Sequence, residues 1–259
     1  MGSAKDIVVR PIRAADANRI VRSIHYSGKV ATTSKIHLGV FLGDKCGGAI
    51  QFGDPMDKRK LIGLVDGTGW NEFVELNRLA LADWLPRNSE SRCIGFAMRW
   101  LRKTYPHLRW VVSFADATQC GDGTIYRASG FLLTGIRKNR SMWRLPSGEV
   151  IATLSAQATW NDSVRRRLGF TLGRESWSEY AKRVGAVCLP GFQLRYVYFL
   201  DPDARSRLTV PVIPYSQIDA FGASMYRGQP RAGGADSGTS EDHSEGGGAT
   251  PTSALRDRP

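Results

Sequence analysis

Long apolar runs are missing from this 259-residue sequence. Nothing approaches the roughly 20 consecutive apolar residues that a bilayer requires, so no membrane-spanning helix is expected. The opening residues, MGSAKDIVVRPIR, lack the apolar centre of a secretory signal. Cysteine is scarce: Cys46, Cys93, Cys120 and Cys188 stand apart, with no CxxC pair and no metal-finger spacing. They read as reduced, mostly buried thiols of a cytoplasmic protein, with Cys120 in a loop. Only four histidines occur, one of them, His243, near the C-terminus. There is no internal repeat, and no basic amphipathic helix with a broad apolar face, which argues against a membrane surface as partner.

Basic residues, by contrast, are abundant. The formal net charge is +12, although residues 228–259 hold three arginines against five acids and so subtract two charges. The remaining body is more basic still, and a charge of that size favours a polyanion, because neutralising phosphates releases counterions. A hydrophobic fraction of 42% is enough for a real core. Residues 228–259 are rich in Gly, Ser, Thr, Pro and acids, and are expected to be a disordered tail after a body spanning 1–227.

Periodicity predicts a first strand in IVVRPI and a helix over residues 14–24, with Ala17, Ile20, Val21 and Ile24 on one face and a break at Gly28. Residues 36–42 alternate, turn at Gly43-Asp44 and continue into 46–52 as a hairpin. Residues 63–69 form a glycine-rich loop. From Glu75 to Phe131 the order is strand (ELNRLAL), polar turn, helix 90–103, strand (WVVSFAD) and a short helix (TIYRASG). Asn88 or Ser89 can cap helix 90–103, whose core stripe is Ile94, Ala97 and Leu101, and Pro106 prevents its continuation. Residues 131–138 read as a further strand, and 142–145 and 150–154 flank a Pro146-Ser147-Gly148 turn. Ser176 with Glu179 makes a capping-box pattern ahead of Trp177, Tyr180, Ala181 and Val184, and 194–200 is aromatic and β-rich.

Several residues in this frame can carry chemistry. The turn Pro86-Arg87-Asn88-Ser89-Glu90-Ser91-Arg92 opens a helix, where free N–H groups and hydroxyls attract a phosphate; ordinary capping explains the same residues. Asp116 ends an apolar strand, a position that meets ligand in α/β sheets or caps the next loop. Tyr126 is either half-buried core or a proton donor. Arg78, flanked by leucines, needs a carboxylate or phosphate partner. His25, with Tyr26 after it, can serve as a base, as a metal ligand or, as the residues alone favour, as a complement to the helix C-terminus. Arg165, Arg166 and Arg167, near Trp160 and Phe170, suit phosphates and unstacked bases, or form a solvated helix face.

ELNRLAL, the NSESR turn, VVSFAD and TIYRASGF together resemble the acyl-CoA-binding core of the GNAT acyltransferase fold. The turn departs from that fold's usual Q/R-x-x-G-x-G/A pattern. A narrower resemblance adds His25-Tyr26-Ser27, NRLAL, SESRCIGFA, FAD and the later LPGFQLRYVYFLDP, and covers roughly residues 5–220. It is to the Mom family of phage-derived DNA adenine modification enzymes, which attach a carbamoylmethyl group to adenine N6 and protect DNA from restriction.

The resemblance implies an α+β fold, a mixed, mostly antiparallel GNAT-like sheet flanked by helices; the stretch at about 158–187, which has no match in the family, is read as a helical insertion. It implies a transferase using acetyl-CoA or a related acyl-CoA, associated with Fe(II), acting on double-stranded DNA, with a homodimer left open. By motif match, His25, Tyr26, Asp116 and Tyr126 carry the chemistry, and His25, Tyr26 and Asp116 hold the metal. Arg78, Ser89 and Ser91 take the acyl-CoA side. Lys138, Arg140, Arg165, Arg166, Arg167 and Arg195 contact DNA phosphates. Two other readings stay open: an ordinary GNAT N-acetyltransferase acting on a protein or small amine, and a non-catalytic DNA-binding protein on a GNAT scaffold.

Overall fold

The structure is a computed structural model that describes residues 3–157 and 161–231. Its elements are β1 (Ile7–Pro11), α1 (Ala14–Ile24), β2 (Ser34–Leu42), β3 (Lys45–Gly53), α2 (Lys58–Ile62), β4 (Phe73–Leu81), α3 (Ser89–Thr104), β5 (Trp110–Asp116), α4 (Thr124–Ala128) and β6 (Leu132–Lys138). There follow β7 (Met142–Arg144), β8 (Val150–Ala152), α5 (Thr153–Gln157), α6 (Asp162–Leu168), α7 (Trp177–Val184), β9 (Val187–Cys188), β10 (Phe192–Phe199), α8 (Gln217–Ala220), β11 (Met225–Tyr226) and β12 (Gln229–Pro230). Trp160 lies outside the described residues. No described helix is long and apolar enough to cross a membrane.

Seven strands form the main sheet in the order β1-β2-β3-β4-β5-β10-β6. Every neighbouring pair is antiparallel except β4 and β5. The expected mixed, mostly antiparallel α+β architecture is the one observed. Helix α3 lies on one face through Cys93, Ile94, Ala97, Met98 and Leu101, all buried, which includes the full predicted stripe. On the opposite face α1 buries Ala17 and Val21, and Gln51 of β3 donates from Nε2 to Asn18 Oδ1 at 2.9 Å. A second cluster on that face joins Phe73, Trp110, Val112 and Val197 to Leu64 and Val65 of the glycine-rich loop. Of the thiols, Cys93 is buried and Cys188 half-buried; Cys120, expected in a loop, is exposed, and Cys46 is exposed against the expectation of a mostly buried thiol.

The segment between β6 and β10 is broader than the expected helical insertion. It is a small lobe with its own three-stranded sheet, β8-β7-β9, and a separate core of Leu145, Ile151, Ala156, Phe170, Trp177 and Tyr180. The capping box forms as predicted: Glu179 N–H donates to Ser176 Oγ at 3.2 Å, and Ser176 N–H to Glu179 Oε2 at 2.6 Å. At the C-terminal end, β12 pairs with β11, and Arg231 Nη1 donates to Asp122 Oδ2 at 3.3 Å. Residues 228–231, which composition assigned to the tail, therefore belong to a hairpin. The rest of that segment lies outside the described residues.

Candidate active site

The parallel pair β4–β5 holds over three rungs only, Phe73–Trp110, Val74–Val111 and Glu75–Val112. Strand β4 then runs on to Leu81 and β5 to Asp116, which leaves a wedge between two neighbouring strands. A register shift places Gln51 opposite Arg78 and Phe52 opposite Leu76, so Asn77 is the bulged residue. Bulges re-aim side chains beside active sites. Here the bulge puts Arg78 on the same face as Gln51, the face that carries α1. Ser113 Oγ donates to Leu76 O at 3.2 Å across the base of the fork.

Around the fork the sequence-predicted residues converge. His25 caps the C-terminus of α1, and its ring lies 4.2 Å from that of Tyr26, tilted by 32°; Tyr26 is 52% exposed. Tyr126 enters from α4, its ring buried against Phe131 and Tyr196 at 5.4 and 5.2 Å, and its hydroxyl bonded to Ser113. Burial and then the field of Arg78 push the His25 imidazole down to about 4. It is therefore neutral at physiological pH, and the helix-complementing role of a charged histidine does not apply. Its Nδ1 accepts from Ser27 N–H at 3.2 Å, so the ring proton is assigned to Nε2. Desolvation, then the Asp116 carboxylate, raises the Tyr26 phenol, which also feels Cys120, Tyr126 and Arg78. Burial pushes Tyr126 up to about 12. Imidazole, two neutral phenols, guanidinium and carboxylate thus lie within electrostatic reach of one another.

Arg78 is held by two carbonyls. Its Nε donates to Lys29 O at 2.8 Å and its Nη1 to Asn77 O at 2.6 Å, and its charge acts on the Glu75 carboxyl. The Ser89 hydroxyl is buried and donates to Pro86 O, and Ser91 Oγ donates to Asn88 O at 3.3 Å. Both hydroxyl protons thus serve the turn. Asn88 is the cap residue, in the left-handed region at φ 68° and without a side-chain cap bond. What the turn offers an anion is the backbone N–H groups of the first turn of α3 and the exposed Arg87.

Asp116 is engaged as well. Its Oδ1 accepts from Thr118 N–H at 3.0 Å and from Asn139 Nδ2 at 3.1 Å, and its Oδ2 from Gln119 Nε2 at 3.1 Å. The LPGF segment secures this corner: Ala117 N–H donates to Phe192 O at 2.9 Å and Asn139 N–H to Gly191 O at 2.8 Å. Gly191 sits at φ 154°, and a Cβ there would lie 2.0 Å from Thr118 Oγ1, so only glycine lets the chain pass this close to Asp116. Among the described residues no three His, Cys, Asp or Glu side chains gather as a metal set. The expected iron at His25, Tyr26 and Asp116 therefore finds no support in such a cluster.

The basic residues divide. Lys138 and Arg140 are exposed where β6 ends, on either side of Asn139, so they flank a direct bond to Asp116. Arg195 is half-buried and tied to Thr134, with Nε donating to Oγ1 at 3.1 Å and Nη2 to the carbonyl at 2.7 Å. It is a sheet-face residue rather than a free phosphate contact. In the lobe, Arg165 pairs with Asp162, and both outer nitrogens of Arg167 pair with Glu149. The triplet is accordingly not an open cationic row, although Arg166 is exposed.

Sequence reasoning passed over Glu75 and Asn139, and quoted Gly191 only within the LPGF motif. The signal for Glu75 was the one applied to Arg78, a charge inside an apolar strand.

A mixed, mostly antiparallel α+β protein, with a fork between two parallel strands of its main sheet, is the class that this fold defines. The chain belongs to the Mom protein family, whose model matches residues 6–217. It is 34% identical over 209 residues to the methylcarbamoylase mom of Escherichia phage Mu, covering 79% of this chain and 80% of that protein. Among solved structures it is similar to the ribosomal-protein-S18-alanine N-acetyltransferase of Escherichia coli, with 10% identity, a TM-score of 0.41, and coverage of 75% of this chain and 94% of that one. It is also similar to NAA60 of Arabidopsis thaliana in complex with a bisubstrate analogue, with 13% identity, a TM-score of 0.42, and coverage of 74% and 97%.

Proposed function

We propose that this chain is a transferase that modifies DNA, moving a carbamoylmethyl group derived from an acyl-CoA onto adenine N6 in the cytoplasm and so shielding phage DNA from restriction. The observation that carries this reading is the convergence of the His25-Tyr26 pair, Arg78, Asp116 and Tyr126 on the β4–β5 fork. Membership of the Mom family supports the same reading.

Adenine's exocyclic amine is a poor nucleophile because its lone pair is delocalised into the ring. The base must leave the stack and be held against the reacting carbon. The exposed Tyr26 ring, backed by His25, is a stacking platform for such a base, and neutral His25 presents Nε2–H as a donor. Arg78 supplies positive charge where negative charge develops, and the buried Tyr126, its hydroxyl bonded to Ser113, fixes the wall of the fork. The first turn of α3, with Arg87, receives the phosphates of the acyl-CoA.

The deciding experiment is mass spectrometry of nucleosides from cellular DNA after expression of the full chain. A new modified deoxyadenosine is expected; an unmodified profile overturns the reading. Acetylation of a protein or small amine by the same chain would instead favour an ordinary N-acetyltransferase.

Lys138 and Arg140, beside Asp116, are the proposed phosphate contacts. Changing both to alanine is expected to weaken duplex binding and to lower the slope of log affinity against log salt by about one per contact. Fluorescence anisotropy across a salt series measures it, and an unchanged slope removes these two residues from the interface.

A further inference from the structure

Beyond residue 217, where the family match ends, the chain returns to the loop that follows Asp116. Strands β11 and β12 form a hairpin whose turn is Arg227-Gly228. Arg227 N–H donates to Cys120 O at 2.7 Å and Gly228 N–H to Ala117 O at 2.9 Å, while Gly121 forms an isolated β-bridge with Tyr226. Arg231 secures the other end of the hairpin on Asp122, a buried carboxylate that also pairs with Arg127. The hairpin is thus bonded to both ends of the loop that Asp116 anchors.

Its turn goes against local preference. Tyr226 and Gln229 pair across it, and both central residues have positive φ, 52° at Arg227 and 74° at Gly228. That is the type I′ pattern, for which Asn-Gly is favoured. Gly228 suits it, and a Cβ there would lie 3.1 Å from Thr118 O. Arg227 does not, because a residue with a Cβ is strained in the left-handed region. Such strain points to a role for the side chain rather than for the turn. The fold makes no use of the charge: among the described residues no carboxylate pairs with Arg227. Its guanidinium stands 5.1 Å from the centroid of the exposed Tyr226 ring, and that of Arg231 stands 6.0 Å away.

Position indicates the partner. The LPGF segment lies between this turn and the end of β6. A Cβ on Gly228 would be 3.7 Å from Pro190 O, and Asn139 N–H donates to Gly191 O at 2.8 Å. Lys138 and Arg140 flank Asn139, so the exposed Arg227 continues their cations along one rim beside Asp116. A row of cations with an aromatic ring among them suits the extended backbone of a nucleic acid. The acyl-CoA phosphates have their place at the first turn of α3, which follows the other strand of the fork.

We propose that the C-terminal hairpin is a DNA-backbone contact, with Arg227 on a phosphate and the Tyr226 ring supporting its guanidinium; the partner is taken from the DNA-modification reading.

The test measures duplex binding by the full chain, as fluorescence anisotropy across a salt series. Arg227→Asn removes the charge and suits the turn better, so its melting temperature should equal or exceed that of wild type. Its affinity is expected to fall about eightfold near 0.1 M salt, with the slope of log affinity against log salt lower by about 0.9. Arg227→Lys keeps the charge and should keep the wild-type slope. Affinity for CoA, measured by calorimetry, should be the same in all three proteins.

An Arg227→Asn variant with the wild-type slope overturns the proposal. So does a reduced slope that Arg227→Lys shares, since the effect is then not one of charge. Loss of CoA affinity with the DNA slope unchanged gives the guanidinium to the acyl donor, and overturns it equally. A wild type that binds no duplex removes the contact even where cellular deoxyadenosine is modified. An unmodified deoxyadenosine profile with the slopes as expected removes the reading of the chemistry and upholds the contact.

Discussion

Replacing Arg78 by alanine is expected to cut DNA modification by about three orders of magnitude, because the fork loses its one central cation. The structural loss is modest. The two carbonyls that Arg78 satisfies, Lys29 O and Asn77 O, lie at the cleft rather than in the sealed core, so about 1–2 kcal/mol of stability should go with them. The electrostatic loss is larger and can be read directly. Arg78 lowers both His25 and Glu75, the imidazole alongside burial and the carboxyl against it. Its removal must therefore move both titrations upward: His25 rises from about 4 towards the ordinary imidazole range, and Glu75 moves above about 7. At neutral pH the variant would carry a more fully protonated Glu75, while His25, still held down by burial, stays neutral. NMR titration of the His25 ring checks the first half. An unmoved imidazole would separate Arg78 from the cleft. Arg78→Lys keeps a charge but not the rigid two-carbonyl fork, and should fall between wild type and alanine.

How much of this could be read from the chain depends on the range of the interactions concerned. Local periodicity located α1 and α3 to within a residue, because their buried stripes are set by neighbours three and four positions away. The strand tip of Asp116 and the glycine stop after Tyr126 were visible for the same reason. The resemblance, rather than any spacing, brought the His25-Tyr26 pair to the distant fork. What stayed hidden is non-local. Arg167 looks like a free cation until Glu149, 18 residues upstream, is folded against it. Ser89 and Ser91 look like phosphate donors until the turn closes and takes their hydroxyl protons. Arg195 sits in a basic, aromatic strand, and only the pairing of β10 with β6 delivers Thr134 to it. Glu75 opened a strand read as apolar, and its meaning depends on where β4 and β5 part company.

The exchange of Asp116 for alanine illustrates the same point, and its expected outcome differs from that of a free site carboxylate. An acid at an exposed strand tip could be removed without harm to the fold. Here the carboxylate receives Thr118 N–H, Gln119 Nε2 and Asn139 Nδ2, so alanine strands three donors where the ends of β5 and β6 and the LPGF segment meet. We expect Asp116→Ala to abolish modification and also to lose about 2–4 kcal/mol, enough to lower the melting temperature by several degrees. Asp116→Asn divides the two effects. The amide oxygen still accepts from Thr118 and Asn139, and Gln119 can turn its own oxygen to the new Nδ2, so the melting temperature should stay close to wild type. The negative charge is gone, however, and that charge is one of the influences holding the Tyr26 phenol protonated. Tyr26 should then titrate at lower pH, and modification should fall by about one to two orders of magnitude through loss of charge alone. Ultraviolet titration of tyrosine and nucleoside mass spectrometry measure the two halves. If the asparagine variant modifies DNA at the wild-type rate, Asp116 is a clasp for the loop, and the chemistry belongs wholly to the residues of the fork.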